Sequence, residues 1–398
     1  MLPLYKEAKL AGNLKDDAHR GLWWSRFFNK FGFDFSKPDV GGKGEFISEI
    51  CKKDCGDADE LTANALRQVS LCTALGGVHS CYQTQGRFVT GMGNDHPTEN
   101  GFTWHPTLGV PYLPASSVKG LVRGWLEWQW GAEALKKDGD AQKRKQLLQW
   151  FGSEHKDPRE QLAEHQAGWF IFFDALPTAP VTLAADVMTP HYGKWYEQGG
   201  DETKNTNADS VPADWHSPVP VTFLTVKKAT FQFGIAVRAG LKANDQTAAK
   251  TALHEVMAVL QDALEWAGAG AKTATGYGRM EVDEKANKES ARLREVEEGK
   301  QQEQQRLLSL QTLSPNQRVI EELRIKIEKQ TGIAKIPKGN ALWTEIKKLA
   351  LEQTSDWETV EKIVLADMLQ EKLPALMSGI DAKDIRKELK LNALRGLV

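Results

Sequence analysis

The chain has 398 residues, with 51 Lys and Arg against 53 Asp and Glu and a formal charge of −2 at pH 7. That length buries a substantial core in two or three domains. The near-neutral balance excludes nucleic-acid binding driven by whole-surface charge, so any such contact must rest on a local basic face. No apolar run is long enough to cross a membrane and no charged-then-apolar leader is visible, so a soluble, cytoplasmic protein with no membrane partner is expected. Cys51, Cys55, Cys72 and Cys81 fit a reducing compartment. Cys51 and Cys55 are placed on one helix face, but their spacing is not that of a paired zinc site, so no metal and no cofactor is expected.

Residues 1–75 read as largely helical. Trp23, Trp24, Phe27 and Phe28 recur at the spacing of a buried helix face, which favours core packing over a docking patch. A stretch rich in Gly and Pro, 31–44, interrupts the helices.

From residue 76 to 284 the pattern turns α+β. Strands are predicted at 80–89, 168–175, 181–187, 221–225, 230–237 and 277–282, with helices at 117–130 and 247–266. Their order is β-α-β-β-α-β with insertions at 91–112 and 190–220, a ferredoxin-like split unit. RNA-recognition modules (RRM) likewise present a four-stranded sheet.

The first insertion holds Asp95 beside His96, a candidate acid/base pair for RNA cleavage, although an ordinary polar loop is the plainer reading. The second holds His191, Tyr192, Trp195, Tyr196 and Trp215. These suit base stacking or a buried aromatic patch equally well.

Two segments carry the strongest chemistry. In 101–127, Pro111 and Pro114 flank Tyr112 and favour an extended approach to a helix, with Ser116 and Ser117 as N-cap candidates. Lys119 and Arg123, four residues apart, project from one face of its first turns. Capping serines and cations at a helix N-terminus form a ready phosphate site.

Residues 267–279 read AGAGAKTATGYGR. Glycines allow positive φ and close approach, and their N–H groups can form an anion nest. Lys272 adds charge, while Tyr277 and Arg279 suit stacking and phosphate pairing. Ala271 before Lys272, and the helix–loop–strand order, exclude a nucleotide P-loop. The loop suits an extended anionic ligand; a plain Gly-rich turn is its competing reading.

Residues 285–312 are dominated by charged and polar side chains and form an exposed linker or helix. Residues 313–398 show helical periodicity through Ile320, Leu323 and Ile327, then Leu342, Ile346 and Leu349, then Val360, Ile363, Val364 and Met368, then Ile385 and Leu389. Gly332, Pro337, Pro374 and Gly379 punctuate this stretch, which reads as an all-helical accessory domain without a chemical motif.

The run Pro114-Ala115-Ser116-Ser117-Val118-Lys119-Gly120-Leu121-Val122-Arg123, followed late in the chain by the loop from Gly268 to Arg279, resembles the RAMP proteins of CRISPR effector complexes. GMGNDH at 91–96, TPHY at 189–192 and SPVPVTFL at 217–224 narrow the resemblance to a RAMP subunit of the type III-B (Cmr) complex. The similarity covers roughly residues 76–283. Ala115, where the family usually has Gly, and the long C-terminal extension depart from the pattern.

The resemblance implies a ferredoxin-like RAMP domain, here with a helical N-terminal region and a helical C-terminal module. It also implies a non-catalytic subunit that cradles the 3′ part of the CRISPR RNA and supports target RNA recognition in antiviral defence beside other Cmr subunits. On this reading Ser116, Ser117, Lys119 and Arg123 meet phosphates at the helix start. Gly268, Gly270, Lys272 and Thr273 line the same groove, with Tyr277 and Arg279 at its edge. Two alternatives are a metal-independent endoribonuclease using His96, His105 or His191, and a protein-only scaffold whose Gly loop packs on a neighbouring subunit.

Overall fold

The computed structural model describes residues 14–16, 18–32, 37–39, 41–136, 138–153, 166–192, 195, 211, 217–331 and 333–396. Contacts divide it into two units, Met1–Arg294 and Glu295–Val398.

Among the described residues, the first unit has seven strands: β1 (Val78–Thr84), β2 (Phe170–Phe172), β3 (Leu176–Pro177), β4 (Thr182–Met188), β5 (Val221–Lys228), β6 (Thr230–Val237) and β7 (Met280–Val282). The main sheet runs β2-β6-β1-β7, every neighbouring pair antiparallel, with β3 also on β6. Helices α4 (Ala115–Trp130), α5 (Ala132–Leu135) and α6 (Ala141–Phe151) lie between β1 and β2, and α7 (Ala243–Asp262) connects β6 to β7. This is the order of the split β-α-β unit, as the alternation of elements predicts.

β4 and β5 pair separately as a two-stranded sheet. The predicted strand at 80–89 is shorter because the chain turns after Thr84. Phe88 bridges to Val226 of β5 instead, through reciprocal backbone bonds of 3.0 and 2.8 Å. The predicted strand at 277–282 begins only at Met280, since Tyr277 and Gly278 belong to the preceding turn.

β6 decides how the sheet is used. Its sequence, TFQFGIAV, is apolar almost throughout and buried from its second residue on, the signature of a strand covered on both faces. Gln232 faces α3 (Ala58–Ala74), donating to the carbonyl of Ala65 at 3.2 Å and to Gln68 Oε1 at 3.0 Å. Phe231 and Phe233 point the other way and pack edge-on against Phe88 and Tyr82. Helix α3 thus occupies a face that an RNA-recognition module leaves open.

The aromatic cluster of the N-terminal region is core, sharing one hydrophobic cluster with the sheet. Trp23, on α1 (Arg20–Arg26), stacks on Phe46 of α2 (Gly42–Ile50) at 4.2 Å, and Trp24 stacks on His96 at 4.4 Å. Cys51 and Cys55 do not share a helix face. Cys51 is the C-cap of α2, whereas Cys55 lies beyond it and exchanges backbone bonds of 2.9 Å with Val181. All four thiols are free. Burial raises each of them, those of Cys55 and Cys81 to about 12.

Residues 285–312 lie within one long helix, α8 (Glu284–Thr312). The second unit gathers α9 (Pro315–Thr331), α10 (Ala341–Glu352), α11 (Thr359–Leu376), α12 (Ala382–Glu388) and α13 (Leu391–Leu394). Its core takes Ile320, Leu323 and Ile327 with Ile346, Leu349, Ile385 and Leu389, as the periodicity requires. On α11 the buried stripe is Leu365, Met368, Leu369 and Leu373, while Val360 and Val364 face solvent. Pro374 sits inside the last turn of α11 rather than ending it.

Candidate nucleic-acid interface

Helix α4 buries Val118, Val122 and Leu126 against the core. One step around its circumference, Ser117, Gly120, Leu121, Gly124, Trp125 and Trp128 line a cleft of about 1330 Å³. The spacing of i, i+3, i+4, i+7, i+8 and i+11 makes these residues a single stripe. Gly120 and Gly124 have open space where a Cβ would project, so the helix backbone itself forms part of the wall.

The Gly loop supplies a second part of the lining. Helix α7 runs into a π turn, Ala263–Ala267, that carries Trp266. Gly268, Gly270, Ala271, Thr273, Ala274 and Arg279 continue the lining, and the first insertion adds Thr90, Gly91, Met92 and Gly93.

The loop folds on itself. Gly268 donates to Ala263, Ala269 to Gly278, and Ala271 and Gly278 donate to Val89 and Arg87, at 2.8–2.9 Å. Gly270 has a φ of +85°, and a Cβ there would meet the Val89 carbonyl oxygen at 2.0 Å. The glycines therefore serve first to let backbone meet backbone. Only part of the expected nest remains open: among the described residues, the N–H groups of Gly270 and Thr273 have no hydrogen-bond partner.

Several predicted site residues sit elsewhere. Ser116 and Ser117 are not caps, because α4 begins at Ala115 with Pro114 at the N-cap. The capping role falls to Asp174, whose Oδ1 accepts the Ala115 N–H at 2.6 Å, so a carboxylate already occupies the helix N-terminus proposed for phosphate.

Lys119 and Arg123 do share a face, but it adjoins the cleft rather than lining it. Arg123 donates to Glu127 at 2.7 Å. The Lys119 ammonium has no ion pair among the described residues. Burial lowers its pKa, and the charges of Arg123 and Arg238 add to that.

Lys272 and Tyr277 point to the other side of the loop, at the β4–β5 hairpin. The Tyr277 hydroxyl donates to Asp186 Oδ2 at 2.6 Å, and Arg87 pairs with the same oxygen at 3.2 Å. Lys272 lies 5.4 Å from the Phe223 ring centre. Burial, reinforced by the Asp186 contact, raises the Tyr277 phenol to about 12. For Asp186, burial acts upward, but the Tyr277 hydroxyl, the Val187 N–H, Arg87 and Lys272 outweigh it and hold the carboxyl below its usual value. Of the residues expected in one groove, the structure brings together Ser117, Gly268, Gly270, Thr273 and Arg279.

The sequence reasoning missed the tryptophans. Trp128 is 72% exposed and Trp266 is 60% exposed, and both line the cleft. The stripe from Ser117 through Gly120 and Gly124 to Trp128 was the available signal.

The histidines differ among themselves. His96 is packed under α1, with Nε2 at 2.9 Å from the Trp24 carbonyl and Nδ1 at 2.8 Å from Thr98 Oγ1. Burial lowers its pKa. His105 Nδ1 accepts the Leu108 N–H at 3.2 Å. His191 is exposed, with its ring 6.4 Å from that of Tyr192; Tyr196 and Trp215 lie outside the described residues. No group of three or more His, Cys, Asp or Glu among the described residues is placed to hold a metal ion. None of the described helices is long and apolar enough to cross a membrane.

The sequence profile of the RAMP superfamily matches residues 81–281, just over half of the chain, from within β1 to within β7. The chain belongs to the RAMP superfamily. Within it, this RAMP protein is similar to Cmr6. It is 30% identical to the CRISPR system Cmr subunit Cmr6 of Pyrococcus furiosus, over 53% of this chain and 69% of that one. It is 27% identical to the Cmr6 of Saccharolobus solfataricus, over 46% of this chain and 49% of the relative. Among solved structures, a chain of the type III-B Cmr-beta complex bound to cognate target RNA is 22% identical over 61% of this chain and 71% of that one, with a TM-score of 0.41. That superposition is loose, and the strand order described above carries the fold assignment.

Proposed function

We propose that this RAMP protein is a non-catalytic, RNA-binding subunit of a type III-B Cmr complex, holding the sugar–phosphate backbone of the 3′ part of the CRISPR RNA. The observation that carries this reading is the cleft between α4 and the Gly loop. Among the residues lining it there is one cation, Arg279, and no Asp or Glu. Arg279 is exposed and without an ion pair among the described residues, and the Gly270 and Thr273 N–H groups are unused donors beside it. Lys119 continues the positive surface on the adjoining face of α4. Backbone donors and single cations address phosphate and sugar, so guides of unrelated sequence should bind alike.

Similarity to Cmr6 supports the choice of complex, with CRISPR RNA, target RNA and other Cmr subunits as partners. The acid/base role considered for His96 finds no support, because both its ring nitrogens are engaged inside the fold.

The test is co-expression with the other genes of its locus, purification through this chain, and sequencing of the co-purifying RNA, beside a Lys119→Ala/Arg279→Ala variant. Guide RNA of defined length that the variant loses or shortens at its 3′ end supports the reading. An assembled complex whose RNA is unchanged in the variant overturns it in favour of protein contacts alone.

A further inference from the structure

The tryptophans of the cleft call for a ligand feature beyond phosphate. Large apolar side chains exposed inside a concave site are unusual on a soluble surface unless something covers them. Trp128 and Trp266 line the same cleft from two different elements, one on α4 and one on the π turn. Trp125 stacks on Trp128, with ring centres 4.9 Å apart and planes 21° from parallel, so the Trp128 ring is backed by a second indole. The buried Trp125 indole N–H has no acceptor within the described chain.

The cleft's size matters as well. At about 1330 Å³ it exceeds the ~300–1,000 Å³ typical of small-molecule sites. It suits an extended polymer. With Arg279 as the one charged side chain of its lining, free amides beside it and no carboxylate, the cleft suits a polymer that is anionic and carries flat apolar faces, which describes single-stranded RNA.

We infer that the cleft binds an unpaired stretch of RNA whose bases stack on Trp128 and Trp266. This rests on the RNA-binding reading above and sharpens it: RNA at this point is held by its bases as well as its backbone, and cannot be paired there. The preference is for unstacked bases of any identity, because every base offers a π face.

Binding of the full chain to two fluorescein-labelled probes of equal length, an oligouridylate and a fully abasic ribose-phosphate strand, tests it. Removing the bases should weaken wild-type binding by roughly 5- to 100-fold, the usual range for lost base–aromatic stacking. Trp128→Ala combined with Trp266→Ala should lose a similar factor on oligouridylate and no longer distinguish the probes. Trp128→Phe alone should keep the distinction, and annealing a complementary strand should release the probe from wild type. Both substituted side chains are exposed, and circular dichroism checks that the variants fold.

Equal wild-type binding of the two probes, or a double variant that still distinguishes them, overturns base stacking while leaving backbone cradling intact. Failure to bind either probe overturns both.

Discussion

The two sides of the Gly loop make different use of the same short sequence. On the hairpin side, Tyr277 and Arg87 both meet Asp186, and Lys272 reaches Met188 Sδ at 3.9 Å beside the Phe223 ring. On the cleft side, Arg279 and the Gly270 and Thr273 amides have no hydrogen-bond or ion-pair partner among the described residues, and Trp128 and Trp266 are exposed. A satisfied side holds the loop to the protein, and an unsatisfied side is available to something else. Residue type does not separate them: Tyr277 and Arg279 are equally good RNA-contacting residues on paper, and only their partners distinguish them.

The comparison breaks first if the loop's shape is destroyed. Gly270→Ala forces a side chain into positive φ and onto the Val89 carbonyl, which should destabilise the first unit by ~3 kcal/mol or more. Thermal or urea unfolding reads this, and a change under 1 kcal/mol would mean that the loop does not pack as described.

Next in size, Arg279→Ala should cut affinity for oligouridylate on the order of tenfold at moderate salt and lower the slope of log K against log salt by about 1. Lys272→Ala should do less, because that ammonium already faces Phe223 and Asp186. The reverse ranking would place the RNA on the hairpin side.

Tyr277→Phe removes the hydroxyl from Asp186 and should cost ~1–2 kcal/mol of stability at neutral pH with little effect on RNA binding. Its pH dependence sharpens the assignment. The folded Asp186 carboxyl is held below its usual value, so its contribution is complete above the unfolded value of about 3.9 and is lost as pH falls through the lowered folded value. Wild type should therefore lose more stability than Tyr277→Phe when acidified below about pH 4. Parallel acid profiles would remove the Tyr277–Asp186 contact from the account.

The smallest effect belongs to Gly276→Ala. Its φ is +90°, but nothing lies within 4 Å of the added carbon. Only the backbone conformation opposes it, at ~1 kcal/mol. The gap between Gly270 and Gly276 separates close approach from plain turn geometry.

The sequence by itself determined the elements and their order. β6 was legible to the residue, since the apolar run from Thr230 to Val237 has the length of a strand bounded by turns. The core stripe of α9 was equally legible, because local periodicity encodes which face is buried. The motif order was enough for the family. The site's own geometry was only half legible. Ser116 and Ser117 are suitable caps by type, yet Asp174, 59 positions from Ala115, takes that role. Tyr277 turned away because Asp186, 91 positions distant, offered its hydroxyl an acceptor. Trp128 and Trp266 read as ordinary helix residues until the fold set them on two walls of one cleft. Hydrogen-bond partners and cleft walls come from contacts between distant segments, and those exist only once the sheet has brought its helices and loops together.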